Sequence, residues 1–259
     1  MHISSYLQRI SVREMGLQPD KETLFRLHHA HMFHIPFEDL DIQWGIPIAL
    51  DTRRFYNKIV DNNRGGYCYE LNGLFAELLR HIGFDVTLIS GRVFNGKRLG
   101  QEFDHLALLV TIAGEQWLTD VGFGDFSLQP LLLQDEVQTD GRNHYRTGQM
   151  EVDGKMYRTA EKWSAARKEF VPEYVFTTVP RTLPEFAGMN QYQQSDPQSH
   201  FVQNLLCSVP VADGRISMIN SRMVFTRNGQ RTEQVIADEQ HRAALLQEYF
   251  GIQHALLVK

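Results

Sequence analysis

Apolar residues recur at helical spacing through most of the first 84 residues. The amphipathic stretches are "ISSYLQRI", "KETLFRLHHAHMF" and "TRRFYNKIV", the last preceded by Asp51 as a candidate N-cap. Residues that precede a proline are biased away from helix, so Pro36 predicts a loop or extended turn through "HIPFEDLDI". The clearest helix follows Tyr67 and ends at Gly83, with apolar residues at the i, i+3, i+4 and i+7 positions: Leu71, Leu74, Phe75, Leu78, Leu79 and Ile82.

From Asp85 onward the pattern changes to β. The segments "DVTLISGRVF", "HLALLVTI" and "QWLTDVGF" are typical of strands, with "AGE" as a hairpin turn between the last two. The sequence "MEVDGKMYRTAE" predicts another hairpin, and the turn-rich "TLPEFAGMNQYQQSDPQS" a short connecting helix. A second β section follows in "HFVQNLLCSVPV", "RISMINSRMVFTR" and "RTEQVI", and the helix "DEQHRAALLQEYF" ends at Gly251.

The order of these elements predicts an α+β fold in three parts. We expect a helical part over residues 1–84, a β part over 85–190 and a mixed α/β part over 191–259. Strands and helices do not alternate as in a doubly wound sheet. The sequence also has neither a GxGxxG after a parallel strand nor a GxxxxGK[ST], so it indicates neither a dinucleotide fold nor a P-loop.

Composition narrows the class of protein. The 259 residues are 42% hydrophobic and 22% charged, which is typical of a globular protein, and the net charge of −5 argues against nucleic acid or an anionic membrane as partner. The N-terminal stretch lacks the apolar core of a secretory signal, and no apolar run reaches membrane-spanning length. Two cysteines are too few for a disulfide scaffold, so we expect a reducing, cytoplasmic setting.

One of the two cysteines is a candidate nucleophile. Cys68 stands at the start of the clearest helix, where unpaired backbone N–H groups and the helix dipole favour a thiolate. Gly65 and Gly66 precede it, and we expect them to allow a tight turn and to leave room for a substrate beside the sulfur. The N–H groups of the same turn are candidates for an oxyanion hole. A lone cysteine on a helix is more often a small buried hydrophobe, so Cys68 alone does not decide the function.

A base and an orienting carboxylate are available on one predicted hairpin. His105 begins the strand "HLALLV" and Asp120 ends the strand "QWLTD". Because the "AGE" turn makes these strands antiparallel neighbours, the two residues fall at the same end of the hairpin, close to cross-strand partners. That is the relation in which an aspartate orients an imidazole. Taken singly, a histidine at a strand edge and an aspartate before "VGFG" are also consistent with ordinary surface and turn positions.

Metal binding is the competing chemistry. "HHAHMFH" places four histidines close together: His28, His29, His31 and His34. No cysteine pair, HExxH motif or carboxylate cluster accompanies them, so the sequence favours a solvated or packed helix face and we expect no metal.

These motifs, in this order, resemble the arylamine N-acetyltransferases. The resemblance is carried by "IPFEDLDI", "NRGGYCYELNGLF", "GRV", "HLALLV", "WLTDVGFG" and "PQSHF", and extends from about residue 20 to residue 250. It implies an N-terminal helical bundle, a central β-barrel and a C-terminal α/β lid, with a transglutaminase- or papain-like triad of Cys68, His105 and Asp120. The implied activity is ping-pong acetyl transfer from acetyl-CoA to the nitrogen of arylamines and arylhydrazines and to the oxygen of arylhydroxylamines.

The resemblance also suggests residues around the triad. We expect an apolar acceptor pocket lined by Phe37, Phe123 and Phe201, each of which could instead be ordinary core packing. Tyr192 and Ser199 correspond to lid positions near coenzyme A in relatives.

Two further charged residues fall in motifs that adjoin the cysteine in the family. We interpret Arg64 and Glu38 as a structural ion pair that holds the loop. Asp39 departs from the asparagine that the family often has, which alters the expected hydrogen bonding of its loop.

Two other functions fit the same motifs. An amide synthase of the same fold, which closes a carbon chain onto an aromatic amine without coenzyme A, also keeps the triad. A non-catalytic binding module is a second alternative, although such a protein is free to lose Cys68, His105 or Asp120. Many relatives continue beyond the position of Lys259, so the cleft and the coenzyme A contacts are expected to differ near the C-terminus.

Overall fold

A computed structural model describes residues 2–253 of the chain. Its N-terminal part is helical, as predicted. A π-helical turn (Asn57–Asp61) directly follows Tyr56, and a 3-10 turn (Leu183–Phe186) directly precedes Ala187. The helices are α1 (Ile3–Arg9), α2 (Lys21–His34), α3 (Leu40–Gln43), α4 (Thr52–Tyr56), α5 (Cys68–Ile82), α6 (Ala187–Ser195), α7 (His200–Gln203) and α8 (Glu239–Phe250).

Helix α5 is the central element of the N-terminal part. The apolar stripe found in the sequence is buried, and the helix ends at Gly83, whose φ of 106° is left-handed. At the other end the Tyr67 N–H donates to Glu70 Oε2 over 3.2 Å, which satisfies one of the donors at the helix start. Both ends of α5 are therefore fixed by local sequence, and Cys68 is its first residue.

Most of the β part is one antiparallel eight-stranded sheet in the order β5-β4-β3-β2-β9-β8-β7-β6. Its ends approach each other: Gln138 pairs through its side-chain amide with the backbone of Leu132, and Thr147 Oγ1 donates to Gln134 O over 2.6 Å. The sheet is therefore nearly closed into a barrel. Its strands are β2 (Asp85–Val93), β3 (His105–Ile112), β4 (Glu115–Thr119), β5 (Leu131–Leu132), β6 (Gln138–Thr139), β7 (His144–Val152), β8 (Lys155–Ser164) and β9 (Glu169–Phe176).

A second antiparallel sheet, covered by α8, forms the C-terminal part. Its five strands are ordered β1-β10-β11-β12-β13, and β1 comes from the N-terminal part of the chain, where Glu38 pairs with Cys207. The strands are β1 (Phe37–Glu38), β10 (Leu206–Val211), β11 (Gly214–Ile219), β12 (Arg222–Arg227) and β13 (Gln230–Val235). Helical, barrel-like and α/β parts confirm the predicted α+β class, whereas the division at residues 84 and 190 stays a prediction.

The structure corrects several predicted elements. "HIPFEDLDI" is not only a loop, because it contains β1 and α3. The segment "HFVQ", predicted as the start of a strand, is helix α7, with Ser199 Oγ accepting from the Phe201 N–H at its start. "RISMINSRMVFTR" is two strands, since Asn220 has a φ of 51° and the chain turns there. Strand β9 was not predicted at all.

Candidate active site

Cys68 lies at the N-terminus of α5 and is only 3% exposed. The residue contributes to the wall of a cavity of about 880 Å³ between the helical part, the barrel and the C-terminal part. The Glu70 N–H donates to Tyr67 O over 3.0 Å, whereas the Cys68 and Tyr69 N–H groups precede the first helical acceptor and can donate to a negative charge beside the sulfur. The position predicted for a nucleophile is thus a buried helix start that opens into a cavity.

The glycine that packs against the backbone of Cys68 is not one of the two that precede it in sequence. A Cβ at Gly65 would overlap Pro36 O, and a Cβ at Gly66 would lie 2.8 Å from Glu70 Cβ, so both glycines admit neighbouring protein rather than substrate. A Cβ at Gly122 would instead lie 2.9 Å from Cys68 Cα. The predicted role of Gly65 and Gly66 in leaving room for a substrate is therefore wrong, and Gly122 is the residue that lets the barrel approach Cys68.

His105 and Asp120 meet as the hairpin pattern predicted. Strands β3 and β4 pair with Leu108 opposite Thr119, which brings His105 Nε2 to 2.7 Å from Asp120 Oδ2. Both side chains are buried. Since Nε2 is engaged by the carboxylate, Nδ1 is the ring nitrogen left for a thiol.

The electrostatics of this pair favour an imidazolium. Burial alone would lower the pKa of His105, but the charge and hydrogen bond of Asp120, together with the Cys68 thiol, raise it to about 10. Burial would raise the pKa of Asp120, but His105 and further hydrogen bonds hold it below its usual value. The site therefore stabilises a proton on His105 and a negative charge beside it.

Asp120 accepts four hydrogen bonds. Two of them come from side chains that the sequence analysis did not place in the site. Asn72 Nδ2 and the Gly122 N–H donate to Oδ1 over 2.9 and 3.0 Å, while Tyr174 Oη joins His105 at Oδ2 over 2.9 Å. Asn72 lies one turn after Cys68, and its polar side chain on an apolar, buried helix face was the available signal. Tyr174 lies on β9, the strand that was not predicted, so nothing pointed to it.

The three predicted pocket aromatics all line the cavity. The rings of Phe37 and Phe201 lie 6.3 Å apart, and the ring of Phe123 meets that of His105 edge-on at 5.2 Å. Phe37 is also buried in the main core, so it serves both packing and the cavity wall. One side of the cavity is therefore apolar.

Tyr192 and Ser199, the predicted coenzyme A contacts, line the same cavity. The Ser199 hydroxyl donates to Gln193 O over 2.8 Å and accepts from the Phe201 N–H, so it caps α7. The Tyr192 side chain is half-buried. Tyr192 is accordingly the freer of the two to contact a ligand.

The predicted ion pair of Arg64 and Glu38 is confirmed within a larger cluster. Arg64 Nε donates to Glu38 Oε1 over 2.9 Å, and its terminal nitrogen lies 2.8 Å from Asp41 Oδ1. Lys58 bridges Asp41 and Glu70, both at 2.9 Å. Because Glu70 also bonds the Tyr67 N–H, the cluster holds the loop before Cys68 against the start of α5.

Two of the four histidines of α2, His28 and His31, pack within the fold, whereas His29 is exposed. The ring nitrogens of His28 lie 3.1 Å from Leu128 O and 3.2 Å from Asp120 O, and burial lowers its pKa to about 4. His31 Nδ1 lies 2.9 Å from Tyr6 Oη, while His34 is exposed at the helix end. No group of metal-ligating side chains occurs within residues 2–253.

The fold and the sequence define a class of transferase. A family model described as N-acetyltransferase matches residues 20–256. The chain is 34% identical to an arylamine N-acetyltransferase / N-hydroxyarylamine O-acetyltransferase of Salmonella typhimurium over 96% of this chain and 88% of the relative. A Mycobacterium marinum arylamine N-acetyltransferase solved in complex with CoA superposes with a TM-score of 0.85 at 29% identity, covering 96% of this chain and 92% of that chain.

The chain belongs to the arylamine N-acetyltransferase family and is an acyltransferase. It is also 29% identical to proansamycin X synthase of Amycolatopsis mediterranei, over 97% of this chain and 98% of the relative. Across residues 2–253 no helix has the length and apolar character needed to span a membrane.

Proposed function

We propose that the chain transfers an acetyl group from acetyl-CoA to the nitrogen of arylamines and arylhydrazines, and to the oxygen of arylhydroxylamines. Cys68 carries the acetyl group between the two half-reactions, His105 moves the proton, and Asp120 orients the imidazole. The observation that carries this proposal is the 2.7 Å contact of His105 Nε2 with Asp120 at the wall of the cavity that Cys68 lines.

In the first half-reaction the Cys68 thiolate attacks the thioester carbonyl of acetyl-CoA. The N–H groups at the start of α5 can stabilise the oxyanion that forms. When the tetrahedral intermediate collapses, the C–S bond to coenzyme A breaks and His105 protonates the departing thiolate. The products are free coenzyme A and an S-acetyl Cys68, with His105 neutral.

In the second half-reaction the neutral His105 accepts a proton from the acceptor as its nitrogen or oxygen attacks the acetyl group. The C–S bond to Cys68 breaks, the acetylated product leaves, and the thiolate–imidazolium pair is restored. Water is a competing acceptor. The aromatic wall formed by Phe37, Phe123 and Phe201 supports transfer over hydrolysis, because it favours a flat apolar acceptor beside the sulfur.

The cavity fits coenzyme A as a substrate. Its volume of about 880 Å³ accommodates the pantetheine arm, and Tyr192 and Ser199 are among the residues that line it. The CoA complex of the M. marinum relative supports the same assignment for this chain.

A direct test is to mix the purified protein with acetyl-CoA and to locate the acetyl group by peptide mass spectrometry. We expect one acetyl group on Cys68, and its loss when an aromatic amine or hydrazine is added. Cys207→Ala is the matched control, because Cys207 is the other cysteine, fully buried in the C-terminal core. Acetylation that persists in Cys68→Ala would refute the proposal.

The similarity to proansamycin X synthase supports a second candidate, an amide synthase. There Cys68 would take the acyl chain of a substrate whose own aromatic amine then attacks, with no coenzyme A involved. The two functions differ in the acyl donor that each one uses. An amide synthase would leave Cys68 unmodified by acetyl-CoA but would react with a simple thioester of a long acyl chain that ends in an aromatic amine.

A further inference from the structure

A carboxylate lines the cavity beside His105 without a part in the proposed mechanism. Among the described residues on the cavity wall, Asp104 is the single acidic side chain. It directly precedes His105, and its side chain is hydrogen-bonded but not ion-paired within residues 2–253. In the acetyl-enzyme of the proposed mechanism His105 is neutral, so this half-buried carboxylate next to the reacting groups acts on any charged acceptor that enters.

The position of Asp104 is fixed from two sides. Gln193 Nε2 donates to Asp104 O over 2.8 Å and to Oδ1 over 3.3 Å. On the other side a Cβ at Gly100 would overlap Asp104 Oδ2, so a residue with a side chain there would displace the carboxylate. The carboxylate is therefore held in place by its neighbours rather than free to swing into water.

The backbone before Asp104 is strained and anchored. Phe103 has a φ of 68°, a left-handed conformation that is unfavourable for a bulky residue. Its N–H donates to Ser90 Oγ and its carbonyl accepts from Tyr69 Oη, each over 2.7 Å. The two hydrogen bonds maintain the turn that delivers Asp104 to the cavity wall.

The charges around the cavity are unevenly placed. Burial raises the pKa of Asp104, while the hydrogen bond from Gln193 and the charge of His105 act in the opposite direction. Arg98 also lines the cavity, but its side chain is exposed, where water and salt screen it. In the acetyl-enzyme, where His105 is neutral, the Asp104 carboxylate therefore adds a negative field at the cavity wall, and a charged substituent on the acceptor meets that field.

We propose that Asp104 makes the cavity select acceptors by charge, favouring aromatic amines with neutral or cationic substituents over those with a carboxylate. This inference rests on the proposed function, because it concerns the acceptor of the second half-reaction. Asp104 acts on the substituent of the acceptor and takes no part in the proton transfers.

The test starts from acetyl-enzyme formed beforehand, so that only the second half-reaction is measured. Three acceptors of similar shape are compared at mildly alkaline pH: 4-aminobenzoate, 4-aminobenzamide and 4-(aminomethyl)aniline, which are anionic, neutral and cationic. The rate ratio of anionic to neutral acceptor is taken for the wild type and for Asp104→Asn, so the intrinsic reactivity of each amine cancels. We expect the substitution to raise this ratio roughly tenfold and to lower the cationic-to-neutral ratio by roughly the same factor. This is the effect of removing a unit charge about 10 Å from the substituent at an effective dielectric constant near 20.

Glu102→Gln is the matched control. It removes a carboxylate two residues away that pairs with Arg181 and does not line the cavity, so both ratios should stay unchanged. Salt dependence tests the same role in the wild type, without a variant. Added salt screens the charge of Asp104 and should therefore raise the anionic-to-neutral rate ratio. If acetyl-enzyme forms but the ratio responds to neither Asp104→Asn nor salt, the role of Asp104 is refuted. Failure of acetyl-enzyme to form at all refutes the proposed function and this inference with it.

Discussion

Asn72 Nδ2 donates to Asp120 Oδ1 over 2.9 Å and so joins the cysteine helix to the end of β4. The same nitrogen donates to Leu106 O over 2.7 Å, and Asn72 Oδ1 accepts from the Val121 N–H over 2.9 Å. One buried amide thus connects α5, β3 and the segment after β4. Because Asn72 is on the turn after Cys68, it sets the distance between the thiol and the His105–Asp120 pair.

Replacing this amide should affect both stability and catalysis. Asn72→Ala leaves the buried Val121 N–H without its partner and removes one donor from Asp120, so we expect a loss of about 2–4 kcal/mol in the free energy of unfolding. Acetylation of Cys68 should slow by about tenfold or more, since the triad is no longer held in register. Urea unfolding and single-turnover acetylation measure the two effects. Asn62→Ala, at an exposed position, breaks only two local side-chain bonds to Asn57 and should cost less than about 0.5 kcal/mol.

The raised pKa of His105 predicts a pH dependence of stability. Its pKa is about 10 in the folded chain and about 6.5 when unfolded, so the folded state holds the proton more tightly. The resulting stabilisation is fully present below about pH 6.5 and is lost as the pH rises toward 10. Unfolding free energies measured across this window should fall more steeply for the wild type than for His105→Gln, by up to about 5 kcal/mol. Parallel curves for the two proteins would contradict a protonated His105.

The parts of the site that the sequence predicted are those set by local rules. The apolar period placed α5, and Gly83 ended it, so the position of Cys68 at a helix start followed from neighbouring residues. The turn at Ala113 and Gly114, with φ values of 50° and 85°, fixed the register of β3 and β4. His105 and Asp120 then had to lie at one end of the hairpin.

What the sequence did not predict depends on contacts between distant segments. Strand β1 has two residues and exists because Glu38 pairs with Cys207, far along the chain. Tyr174 reaches Asp120 only because β9 pairs with β2, which no short-range pattern specifies. Helix α7 is too short for its period to be recognised in the sequence. Such elements are set by tertiary contacts rather than by propensity.

Gly122 should tolerate no side chain. A Cβ there would lie 2.6 Å from Asn72 Nδ2 and 3.0 Å from Cys68 O, so Gly122→Ala must push the barrel away from α5. We expect a loss of about 1–3 kcal/mol in unfolding free energy from overpacking. Displacement of the thiol from His105 should slow Cys68 acetylation by about 100-fold.

Gly188→Ala is the control for this effect. Gly188 lies in α6, and no atom of the described residues 2–253 would lie within 4 Å of a Cβ there. Alanine should therefore leave acetylation unchanged and stabilise the helix by about 0.5–1 kcal/mol. Thermal unfolding and acetylation rates of both variants give the comparison. If Gly122→Ala retained the wild-type acetylation rate, close approach at Gly122 would not matter for catalysis.

Replacing Asp39 with asparagine should stabilise the protein. Burial raises the pKa of Asp39 to about 8, Oδ1 accepts from the Leu206 N–H over 2.8 Å, and Oδ2 has no hydrogen-bond partner among residues 2–253. Since the pKa is raised in the folded state, Asp39 lowers stability progressively as the pH rises from about 4 to about 8. Asp39→Asn keeps the acceptor for Leu206 and removes this titration, so it should gain about 2–4 kcal/mol at neutral pH and little near pH 4. Urea unfolding at the two pH values checks the sign, and an equal effect at both would show that Asp39 does not titrate in this way.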